Sequence, residues 1–126
     1  IDTDAGTQTR LLHFSAKAAA SAPSWQGDST ATWERANGAD GGGSLRVVTS
    51  NVRAGYLRKN GVPYGERATV TENFDIASLA DNGRLLLVTT TVEDPVYLTG
   101  PYIVSPHFKK EPDGSKWDPT PCSSIW

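Results

Sequence analysis

The apolar residues of this chain recur at every second position, in short stretches closed by turn residues. From Arg67 to Asp75, one alternate set is Ala68, Val70, Glu72 and Phe74, and the other is Arg67, Thr69, Thr71 and Asn73. Successive side chains of an extended strand face opposite ways, so this spacing lays one apolar face on one polar face. A helix would need spacings of three and four instead. The same reading gives strands at Ser29–Arg35, with Ala31, Trp33 and Arg35 on one face, and at Ser44–Ser50, with Leu45, Val47 and Thr49 together. Arg84–Glu93 is the longest, rich in Leu, Val and Thr, and Pro95 ends it because proline cannot donate to a ladder. Tyr102–Lys110 carries Tyr102, Val104 and Phe108 on one face and is interrupted by Pro106, as at a sheet edge or bulge.

Sequential strands joined by short connections usually pair with their neighbours. The expected fold is therefore all-β: an antiparallel meander of about five to seven strands, forming a partial barrel or a small sandwich, with irregular N- and C-terminal arms. Residues 1–28 read as an N-terminal arm and 29–126 as a single β domain. Within the arm, Leu11, Leu12 and Phe14 form an apolar patch, and Lys17–Ala20 has room for one helical turn before Pro23. Asn37–Gly43 reads as a flexible hairpin connection, and Asp81-Asn82-Gly83 as a turn. Residues 51–66 read as a structured excursion: Asn60-Gly61 favours a tight turn, and Tyr56, Leu57, Val62 and Tyr64 need somewhere to pack. Trp33 is expected in the core.

With 126 residues the chain is long enough for one real core without disulfides or metal. Its 12 basic and 14 acidic residues leave a net charge of −2, which gives no general attraction to nucleic acid or to anionic membrane. The longest apolar run, Leu85–Val88, is far short of the ~18 residues of a membrane-spanning helix. The single cysteine, Cys122, excludes an internal disulfide framework. The chain contains no methionine and opens on Ile1, as expected if a secretory signal has been removed. The expected location is outside the cytoplasm, periplasmic or extracellular.

Residues Trp33 to Cys122 resemble a group of exported, β-rich, uncharacterised proteins from environmental bacteria. The resemblance lies in Thr32-Trp33-Glu34, in Gly55-Tyr56-Leu57-Arg58-Lys59-Asn60-Gly61-Val62-Pro63-Tyr64, and in Val70-Thr71-Glu72-Asn73-Phe74. It continues through Val92-Glu93-Asp94-Pro95 with Tyr97, then Phe108 to Trp117 and Pro119-Thr120-Pro121-Cys122. It implies an exported, strand-rich domain and carries no activity with it.

Glu72 is the candidate for chemistry. It shares a face with Val70 and Phe74, so it should point inward, and buried carboxylates are how catalytic acids are often made. The structural alternative is an ion pair with an arginine such as Arg35 or Arg46. His13 and His107 lack metal-ligand spacing, and Glu93-Asp94, neighbours on a strand, face opposite ways and suit a strand end and turn cap. No serine lies in a nucleophile elbow and no glycine-rich phosphate loop follows a strand. The sequence implies no cofactor and no metal.

The loop holding Arg53, Tyr56, Arg58, Lys59, Tyr64 and Arg67 mixes cations with aromatics, the composition of protein interfaces. Trp25, Trp117 and Trp126 lie in the irregular ends and imply that those ends are pinned to the sheet or to a partner. The candidate binding set is Arg53, Tyr56, Arg58, Lys59, Tyr64 and Trp117. The expectation is a non-catalytic domain that contacts another protein, as an accessory or structural subunit of a cell-envelope assembly. The alternatives are a small-molecule or carbohydrate-binding half-barrel, and an enzyme using Glu72 as acid or base.

Overall fold

The computed structural model describes residues 1–4, 6–15, 22–35, 43–58, 61–80 and 83–121. The expected turn at Lys17–Ala20, the core of the Asn37–Gly43 connection, Lys59, Asn60, Cys122 and Trp126 lie outside them.

The described residues form an all-β fold. Two short strands, β1 (Asp2–Thr3) and β2 (Gln8–Thr9), make a hairpin in the arm. The main sheet contains β3 (Asp28–Arg35) and β4 (Gly43–Ser50). A two-stranded ribbon, β5 (Gly55–Tyr56) and β6 (Pro63–Tyr64), then precedes β7 (Thr69–Ser78) and β8 (Arg84–Glu93). The sheet closes with β9 (Tyr102–Val104) and β10 (His107–Lys109), which pair side by side along the same edge of β8. The strand order is β10-β8-β7-β4-β3, antiparallel throughout. The sheet is open, not a closed barrel, and Pro106 splits the last expected strand in two at its edge.

Register sorts the inner face into rows, because opposed residues of antiparallel strands share a face. One row runs Ser29, Thr49, Val70, Val92, Tyr102 and the next Ala31, Val47, Glu72, Thr90, Val104. A third runs Trp33, Leu45, Phe74, Val88, and a short fourth Ile76, Leu86, Phe108. The outer face is threonine-rich, with Thr30 and Thr32 on β3, Thr71 and Asn73 on β7, and Thr89 and Thr91 on β8.

The first two rows are covered. The arm, the 24–27 turn and the β5–β6 ribbon lie over them; of the buried apolar side chains Ala31, Val47 and Val92 belong to these rows, Val88 to the third, and Val52 and Ala68 to the segments beside the sheet. Gly27 makes that approach possible. Its φ is +63°, and a Cβ there would come within 2.5 Å of the Ser50 carbonyl oxygen. The last two rows are not covered in the same way. Trp33 is 63% exposed, which corrects its expected place in the core: it is on the apolar face, but among the described residues its ring contact is with Phe14 of the arm, itself exposed, 6.3 Å between ring centres.

The ribbon is fixed by Asp94, the turn cap at the end of β8. Its buried carboxylate accepts the Gly65 N–H with one oxygen and the N–H groups of Val96 (2.7 Å) and Tyr97 (3.2 Å) with the other. The Gly65 bond, followed by those to Val96 and Tyr97 and the charge of Arg67, holds the Asp94 pKa below the usual 3.8 despite opposing desolvation. A depressed carboxylate pKa adds stability that is present above the unfolded pKa and lost as pH falls through the folded one. Stability should therefore drop below about pH 4, and Asp94→Asn should flatten that acid limb in urea titrations run at a series of pH values.

Candidate functional site

The inner face floors an open trough of about 790 Å³, roofed in part by the arm and by Trp25, Tyr56 and Tyr64. Glu72 stands on its floor in the middle strand, β7, as its alternation with Val70 and Phe74 requires. Its ion partner is not Arg46, and the side chain of Arg35 lies outside the described residues. Arg46 meets Glu34, 3.9 Å away, on the outer face. The partner is Arg10 of the arm, whose Nη2 lies 2.6 Å from Glu72 Oε2.

Arg10 ties three strands at once. Its Nε and Nη2 both donate to Ser29 Oγ on β3 at 3.1 Å, and Nη2 also donates to Thr49 Oγ1 on β4 at 2.7 Å. The two hydroxyls bond each other at 2.8 Å. With both Nη2 hydrogens committed to hydroxyls, the contact with Glu72 is one of charge rather than an in-line hydrogen bond. Oε2 is fully buried and receives no hydrogen bond from any described group. The trough thus offers one buried acceptor oxygen in a mostly apolar floor of Val70, Phe74, Val88 and Val92.

The basic-aromatic loop is spent largely on its own fold. Arg58 donates from Nε to the Tyr102 hydroxyl at 2.7 Å, with its guanidinium 6.0 Å from that ring. Arg53 lies 5.6 Å from the Trp25 ring, which pins the turn before β3. Tyr64 packs under Gly55 and, with the exposed Tyr56, lines the trough mouth. Trp117 lies exposed in the tail, away from the trough. The six candidate binding residues are therefore not one surface: Tyr56 and Tyr64 join the trough, Arg53 and Arg58 brace the ribbon, Trp117 stands apart, and Lys59 falls outside the described residues.

His13 and His107 sit at opposite edges of the sheet, His13 bridging to β3 and His107 on β10. Among the described residues no three His, Cys, Asp or Glu side chains come together that could hold a metal ion. Among the described residues no helix is long and apolar enough to cross a membrane. No protein-family model, curated protein or solved structure matches the chain.

Sequence reasoning missed Arg10. The one signal was a cation directly before Leu11-Leu12 in an otherwise polar arm. Arg10→Met should destabilise the fold by about 2–3 kcal/mol in urea unfolding, because it strands a largely buried carboxylate. The double variant Arg10→Met/Glu72→Leu should recover most of that loss.

Proposed function

We propose that this chain is a non-catalytic β domain that works by docking against another protein, as an accessory or structural subunit of a larger assembly. The observation that carries this reading is the bare half of the inner face. Trp33, Ile76 and Phe108 are 63%, 60% and 54% exposed, with Leu45, Phe74 and Leu86 half-buried between them. A soluble chain left with a contiguous apolar sheet face has the signature of an interaction surface. The Arg10 contact supports a structural role for Glu72 over acid–base work. The likeness of residues 33–122 to exported β-rich proteins supports a place outside the cytoplasm.

A second reading, an apolar ligand in the trough, draws on one observation of its own. The space of about 790 Å³ lies within the range of small-molecule sites, and Glu72 Oε2 offers a buried acceptor at its floor.

Native mass spectrometry of the protein taken gently from its source separates these. The expected result is a mass well above 13.5 kDa with other protein chains attached. Those chains should be lost from a tagged Ile76→Lys/Phe108→Lys form expressed in the same source. A 13.5 kDa species carrying only a small added mass would instead select the ligand reading.

A further inference from the structure

We infer that the trough binds a neutral amphiphile, an elongated apolar molecule headed by a hydroxyl that seats against Arg10 and Glu72. This rests on the ligand reading of the trough and gives that ligand its chemical class; the docking reading stands apart from it.

The head site follows from hydrogen bonds left unmade. The side chains of Arg10 and Glu72 keep 25% and 13% of their surface, and both line the trough. A carboxylate so nearly buried ordinarily collects aligned donors. Glu72 Oε2 has none, and no described group outside the pair donates to Oε1. Arg10 commits Nε and Nη2 to Ser29 and Thr49. Its Nη1 carries two further hydrogens and meets no acceptor outside the pair among the described residues. Thr90 lies directly across from Glu72 on β8 and adds a hydroxyl that bonds to no described group. One spot thus offers an acceptor, a donor and a hydroxyl in a floor that is otherwise apolar, the make-up of a small-molecule site.

Charge selects the head. Arg10 and Glu72 lie 2.6 Å apart and cancel each other. Asp2, the other charged residue of the lining, is exposed at the rim, where its carboxylate accepts the Thr9 hydroxyl at 2.7 Å. A carboxylate or ammonium head would lose its water to a site with no net countercharge, and would press against its like in the pair. A hydroxyl donates to Glu72 and accepts from Arg10 through a single oxygen, and carries no charge to desolvate.

Register sets the shape. From the Glu72–Thr90 pair the trough runs past Phe74 and Val88 to Leu86 and Phe108, two rows or about 13 Å along the strands. Those four side chains are an apolar bed for the body of the ligand. Arg84 and Lys110 stand one row further along the same face and do not line the trough, so the bed itself holds no charge.

The test is isothermal titration calorimetry at neutral pH with decanol, decanoate and decylamine, each below its solubility or micelle limit. The three share one apolar chain and differ only in the charge of the head. The expected result is one decanol per protein chain, with the negative heat-capacity change of apolar burial, and binding of both charged probes weaker by about tenfold or more. In Arg10→Met/Glu72→Leu, with its fold checked by far-UV circular dichroism, the preference for decanol should vanish. Should that variant not fold, the three probes on the parent chain decide alone. A charged probe that binds as tightly as decanol, or a folded double variant that keeps the preference, would overturn the inference and leave the ligand reading standing. No binding of any of the three would overturn both.

Discussion

A single guanidinium holds the upper half of this fold together. Arg10 reaches from the arm to Ser29 on β3, Thr49 on β4 and Glu72 on β7. Without it, two hydroxyls and a carboxylate would sit under the arm with no cation among them. Burying such groups unpaired is expensive, and burying them around a planar, multidentate donor is tolerable. The arm then has a fixed seat, and its His13 carbonyl accepts the Ala31 N–H along the β3 edge. The tail follows: Thr120 exchanges hydrogen bonds with Gly6 and Asp4, so both ends of the chain meet on the arm hairpin.

Asp94 does the matching work at the far end of β8. One carboxylate collects the N–H groups of Gly65, Val96 and Tyr97 and so fixes where the β5–β6 ribbon crosses the sheet. Arg10 and Asp94 together cover the two rows that contain Val47 and Val92. Neither reaches the rows of Trp33 and Ile76. The molecule is thereby divided into a half roofed by the arm and the ribbon over an open trough and a half that is left largely bare. That division, rather than any constellation of reactive groups, is its most informative functional feature.

The strands were legible in the residues because period-two alternation reports directly on which side chains share a face. Arg84–Glu93 has its expected bounds, and the facing of Glu72 with Val70 and Phe74 follows from the pleat alone. The turn role of Asp94 was also legible, since Asp-Pro closes a strand in any context. The candidate site was read less well. Arg53 and Arg58 looked available for a partner, yet each lies over an aromatic ring of its own chain, Trp25 and Tyr102, that is distant in sequence. Trp33 looked like core because alternation reports the face and says nothing of whether that face is covered.

The sequence by itself determined the all-β class, the bounds of Arg84–Glu93 and the sorting of side chains into an apolar and a polar face, because these depend on neighbours one and two positions away; the strand expected at Arg67–Asp75 runs instead from Thr69 to Ser78. Only the tertiary structure decided that Glu72 is paired with Arg10, that the arm roofs one half of the sheet, and that the end around Trp33, Ile76 and Phe108 is left open. Those outcomes depend on which segments return across the sheet after tens of residues, a matter of chain closure that no local pattern encodes.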